Sequence, residues 1–178
     1  MKILVSPHPT LRKVTQEIKQ LDKKLERLIK DMTVTLRSAQ DPEGVGLAAP
    51  QVGVSKRLLL LNLNNKIEAI INPQVIKQSE ALLSSVYTKK KDRWLEGCLS
   101  LPKLWGFVDR PFSVDIEYVT PSDGVLVSRS RHFEGVESSY ILHEIDHLDG
   151  VLFTDRILEQ DGTIYKESPD GLVRINSI

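Results

Sequence analysis

Five short apolar segments, at 57–63, 67–71, 81–88, 113–119 and 125–133, follow one another with strand character. Asn64-Asn65, Asn72-Pro73 and Ser122-Asp123-Gly124 separate them with turn chemistry. Strands that follow strands leave little chain for helical crossovers, which favours antiparallel pairing over a Rossmann-type parallel sheet. Helical pattern is confined to the flanks. At 22–39, Leu25, Leu28, Ile29, Met32 and Leu36 recur at three- and four-residue steps between charged residues, predicting an N-terminal amphipathic helix packed on the body of the protein. From Gly135, the residues Val136, Tyr140, Ile141, His143, Glu144, His147 and Leu148 fit a second helix ended by Gly150.

The remaining segments are less regular. Leu11, Val14 and Ile18 suggest a short helical turn within 7–18, and Pro42, Gly44 and Gly46 make 40–46 a constrained loop. Lys89-Lys90-Lys91 reads as a solvated loop or edge. The tail, 158–178, carries Gly162, Pro169 and Gly171 between two short apolar groups and reads as a loose hairpin or extended tail. The expected organisation is a single domain spanning 1–178, a length that can bury a full core without disulfides.

Hydrophobic residues at 40% and charged residues at 27% are those of a folded globular chain. The 24 basic residues equal the 24 acidic ones, so there is no overall charge signal for binding nucleic acid. No run approaches the roughly eighteen apolar residues of a membrane-spanning helix, and MKILVSPHPT resembles neither a secretory signal nor a transit peptide. One cysteine, Cys98, cannot form an intramolecular disulfide, which suits a reducing cytosol.

The chemistry is concentrated at His143-Glu144-Ile145-Asp146-His147. Histidines four apart on a helix project from one face and can share a metal ion, and the glutamate after the first can exchange protons with an activated water. A catalytic site of this kind takes three protein ligands. His8, His132, the carboxylates and Cys98 are available as the third. A thiolate suits a borderline-soft divalent ion better than a carboxylate does, and Cys98 sits between Gly97 and Pro102 in EGCLSLP, so Cys98 is the preferred candidate. The run from Gly44 to Gly53, GVGLAAPQVG, lets a substrate backbone approach closely while Gln51 donates a hydrogen bond. It lacks the lysine of a phosphate-binding P-loop.

GVGLAAPQ, EGCLS and HEIDH, in that order, resemble the three signature motifs of the peptide deformylase family. Pro9-Thr10-Leu11-Arg12 and Ile71-Asn72-Pro73 extend the likeness along the chain. The resemblance implies an α+β fold with antiparallel sheets around a central helix bearing the two histidines. It implies a hydrolase that removes the formyl group from N-formylmethionyl nascent polypeptides and releases formate. Cys98, His143 and His147 would ligate one divalent metal ion per chain, most commonly Fe2+, with Zn2+, Ni2+ or Co2+ tolerated. Glu144 would be the general acid and base, and Gln51 with the backbone N–H of Leu99 would stabilise the oxyanion. Gly46, Val45, Gly97, Trp94, Val136 and Tyr140 would contact the substrate.

A cytoplasmic setting in a bacterial or bacteria-like host follows, with the ribosome as a candidate partner, although the tail shows no docking helix. The sequence also departs from the family pattern. Leu142 stands where a glutamine is usual, Trp105 where many relatives have a basic residue, and Ser139 and Tyr140 where aliphatic residues often line the methionine pocket. Two alternatives share the histidine motif: a zinc endopeptidase, and a homologue that retains metal and binds N-termini without turnover.

Overall fold

The computed structural model describes residues 1–39 and 44–175, so most of the 40–46 loop, including Pro42, lies outside the described residues. Among the described residues, nine strands form two antiparallel sheets. The larger has the order β1-β2-β3-β6-β7, with β1 at Gly46–Ala48, β2 at Leu58–Leu63, β3 at Lys66–Gln78, β6 at Ser113–Ser122 and β7 at Val125–Glu134. The smaller is β4-β5-β8-β9, with β4 at Glu96–Cys98, β5 at Leu101–Gly106, β8 at Ile164–Ser168 and β9 at Gly171–Ile175. Strands β1 and β4 are therefore both terminal strands of their sheets.

Helix α1 (Lys23–Ser38) is capped by the Asp22 carboxylate, which accepts from the Leu25 N–H at 2.8 Å. Its buried Leu25, Met32 and Leu36 pack on Leu58 and Leu60 of β2. The alternate residues Leu59 and Leu61 face the opposite way and join Ile141, Ile145 and Leu148 of α3 (Val136–Leu148). Side chains alternate across a strand, so four consecutive buried leucines mean that both faces of β2 are covered. A third cluster places Phe153 and Ile157 of α4 (Phe153–Glu159) on Leu101 and Ile164 of the smaller sheet. Nine of the thirteen residues of α3 are buried, which makes it the central helix of an α+β fold.

The expected helix at 22–39 and the tail hairpin are present, as β8 and β9. Several expectations are corrected. The segment 81–88 is not a strand; its core is the short helix α2, Leu83–Val86. Asp109 accepts from both the N–H and the hydroxyl of Ser84, at 2.8 and 2.5 Å, and Arg93 donates to the Tyr87 and Ser84 carbonyls. These distant side chains satisfy the ends of a helix whose sequence favours a strand.

Within 7–18 only Pro9–Arg12 forms a 3-10 turn, and Val14 is exposed. The rest is extended because neighbours take its backbone groups: Thr15 N–H donates to Leu148 O, and the Gln16 carbonyl accepts from Arg57. Asn72-Pro73 is a bulge inside β3, not a turn between strands. The ladder to β6 shifts register between Ile71 and Gln74, and the Asn72 side chain bonds both the N–H and the carbonyl of Ile18.

Candidate active site

A cavity of about 190 Å³ opens between β1, β4 and α3. Its walls include Val45, Gly46, Gln51, Trp94, Gly97, Cys98, Leu99, Tyr140, His143 and Glu144. Of the residues expected to touch substrate, Val136 alone does not line it. Val136 is the first residue of α3, a full turn before Tyr140 and further from the histidines. His147 lies behind the wall, 1% exposed.

Ligand atoms of Cys98, His143 and His147 all lie within 4.8 Å of one another, and all three side chains are buried. The Cys98 sulfur is 3.1 Å from His147 Nε2 and accepts from the Ser100 N–H at 3.4 Å and from Gln51 Nε2 at 3.6 Å. His8 and His132 lie apart from this group; His132 pairs with Asp115 on the surface. The two clustered imidazoles are supported unequally. His143 Nδ1 is 2.8 Å from Oε2 of Glu96, which leaves Nε2 for the cluster. His147 Nδ1 is buried without a hydrogen-bond partner among the described residues.

Gln51 sits on a 3-10 turn, Ala49–Val52, that follows β1. Its Oε1 accepts from the Ala48 N–H at 2.7 Å, so its NH2 is turned toward Cys98 and Ser100. Glu144 packs against Gly46 so closely that a Cβ on Gly46 would lie 2.3 Å from Oε1. Its Oε2 is buried and unpartnered among the described residues. Burial pushes the Glu144 carboxyl up to about 7, against the opposing pull of the His143 and Arg110 charges. Gly97 is likewise held close, by the Trp105 indole, which would lie 2.7 Å from an added Cβ. The chain has two tryptophans, and both line this cavity.

Beneath the cluster is a chain of charges to which sequence reasoning assigned no role. Arg110 donates to both oxygens of Glu96, at 2.6 and 2.9 Å, and to Asp146 at 2.8 Å. Arg156 donates to Asp146 at 2.7 Å, and the Ser139 hydroxyl to Glu96 at 2.7 Å. Burial acts to raise the Glu96 carboxyl, but Arg110 and His143 outweigh it and hold it well below the usual carboxylate range. Glu96 stands in the cysteine motif and Asp146 in the histidine motif, which is a signal of sorts. Arg110 and Arg156 have none, because only folding brings them there.

A model of the polypeptide deformylase family matches residues 1–162. The peptide deformylase of Natranaerobius thermophilus is 36% identical over 159 residues, covering 89% of this chain and 92% of that protein. That of Rhizobium meliloti is 39% identical over 160 residues, covering 87% and 83%. Among solved structures, Arabidopsis thaliana peptide deformylase 1B superposes with a TM-score of 0.76 at 32% identity, over 90% of this chain and 83% of that one. The Synechococcus elongatus enzyme, in complex with actinonin, superposes at 0.75 and 32%, over 87% and 77%. On sequence and on fold alike, the chain belongs to the peptide deformylase family.

Proposed function

We propose that Cys98, His143 and His147 hold one divalent metal ion and that the cavity beside them is where an N-formylmethionyl peptide is hydrolysed. Family membership makes the chain a metal-dependent hydrolase that removes the formyl group from the N-terminal methionine of nascent polypeptides. The donor set fits such an ion: one thiolate and two imidazoles suit a borderline-soft transition metal and leave a coordination position open. On the family resemblance the resident ion is ferrous iron, with zinc, nickel or cobalt as substitutes. When bound, the ion supplies Lewis-acid polarisation of water and of the formyl oxygen.

The chain's own groups perform the proton transfers and hold the charge. Glu144 takes a proton from the attacking water, and its near-neutral pKa lets it return that proton to the departing amine. As the water oxygen bonds to the formyl carbon, charge develops on the formyl oxygen. Gln51 Nε2 and the Leu99 N–H receive it, and a preorganised donor of this kind is typically worth about 3 kcal/mol. The C–N bond then breaks, releasing formate and a free α-amine.

Substrate binding follows from the two sheet edges. Strands β1 and β4 both end their sheets and both line the cavity, so an extended peptide can pair with Val45-Gly46 on one side and Gly97 on the other. Trp94 and Tyr140 offer apolar surface for the methionine side chain. No lysine or arginine is among the described cavity-lining residues, so the grip is backbone pairing and apolar contact, with Trp105 in place of a cation. A cytoplasmic location belongs to the same reading. Among the described residues no helix is long and apolar enough to cross a membrane, and the relatives named above include bacterial proteins.

The observation that carries this reading is the convergence of one sulfur and two imidazoles beside a buried glutamate oxygen that has no partner among the described residues. The test is formate release from formyl-Met-Ala-Ser by anaerobically metallated protein. Turnover is expected, and its absence under conditions in which another deformylase works overturns the reading.

A further inference from the structure

We propose that Arg110 is a positioning residue for the metal centre: its guanidinium braces β4, which carries Cys98, against α3, which carries His143 and His147. The proposal rests on the reading that these three side chains share an ion.

The two elements belong to different layers of the fold. Strand β4 is three residues long, is paired on one side only, and shifts register against β5 between Gly97 and Cys98. None of the described backbone hydrogen bonds joins β4 to α3. The separation of the sulfur from the imidazoles must therefore be set by side chains. Arg110 is placed to set it. Its Nε and Nη2 bond both oxygens of Glu96, two residues before Cys98, and its Nη1 bonds Asp146, the residue before His147. One rigid planar fork thus reaches within two residues of a candidate ligand on each side.

The brace also orients an imidazole. With Arg110 holding it, Glu96 turns one oxygen to His143 Nδ1, so that Nε2 faces Cys98. Arg110 is 5% exposed, and its charge is balanced in alternating order: Glu96 and Asp146 on either side, and Arg156 beyond Asp146. A lysine keeps the charge but has a single ammonium on a flexible stem, and cannot fork onto Glu96 while also reaching Asp146.

The experiment loads metal-free protein with cobalt and reads affinity and visible spectrum, independently of turnover. Wild type is expected to bind one cobalt per chain with a thiolate-to-metal charge-transfer band. If it does not, the three-residue centre itself is wrong. Given that centre, Arg110→Lys and Asp146→Asn are expected to bind cobalt about 10 to 100-fold more weakly with altered d–d bands, while far-ultraviolet circular dichroism is unchanged. Arg131→Gln breaks the Arg131–Glu68 ion pair in the larger sheet and serves as the control, with affinity and spectrum unchanged. Folded Arg110→Lys and Asp146→Asn with wild-type affinity and spectrum overturn the proposal. Should Arg110→Lys fail to fold, Asp146→Asn decides alone, because it weakens the helix side of the brace and leaves the Glu96 pair intact.

Discussion

A methyl group at Gly46 would collide with the Glu144 carboxylate, so the glycine is required by space rather than by backbone freedom. Gly46→Ala is expected to displace the carboxylate and lower turnover by about 100-fold, since a shift of about 1 Å in a catalytic group costs that much. Metal content and melting temperature should stay near wild type, and an active Gly46→Ala protein would show that Glu144 needs no such fixed position. Glu144→Gln should lose about 10² to 10⁴ in rate with metal retained, as measured by elemental analysis beside formate release. A protein that only binds N-termini would be indifferent to that change. At this scale the histidine pair, Glu144, Cys98 and Gln51 were legible because each lies in a short motif whose spacing has a geometric meaning. The collision between Gly46 and Glu144 was not, because about a hundred residues separate them and neither segment records the other.

Helix α4 shows how a short element is held by what surrounds it. Its Asp155 accepts from the Leu152 N–H at 2.8 Å, capping the helix, and pairs with Arg12 from the N-terminal 3-10 turn. Burial acts to raise its carboxyl, but the bonds from Arg12 and Leu152 prevail and lower it. The folded pKa thus lies below the unfolded value of about 3.9, so the stabilisation is complete above that value and is lost as pH falls through the folded one. Asp155→Asn keeps an oxygen for the Leu152 N–H but loses the charge that pairs with Arg12, so it should melt at a lower temperature at pH 7, by an amount equivalent to about 0.5 kcal/mol for a partly exposed ion pair. The gap should close in the acid range; a constant gap across thermal scans from pH 7 to pH 2 would disprove the linkage. The helix at 83–86 escaped sequence reading for a related reason. Apolar residues and serines there suit a strand, and the side chains that close the helix, Asp109 and Arg93, come from outside the segment. The antiparallel pairing was legible, because strands that follow one another through short polar turns leave little chain for helical crossovers.

Across the whole molecule, the terminal strands of the two sheets, β1 and β4, both border the cavity. An extended ligand seated there would join them and quench exchange in both. Hydrogen exchange with a non-hydrolysable formyl-peptide mimic should protect amides at 45–46 and at 97 together, while β7, at the far edge of the larger sheet, is unchanged. Protection confined to one sheet would mean that the ligand lies along a single edge. The division into sheets was legible only in part, since β4 and β5 carry no alternating pattern of their own and depend on contacts with β8 and α4.

Because Trp94 and Trp105 are the whole indole complement of the chain and both face the same hollow, near-ultraviolet emission excited at the red edge originates from its walls alone. Occupancy can therefore be followed by eye of the fluorimeter in unlabelled protein, titrant by titrant, without waiting for a chemical product.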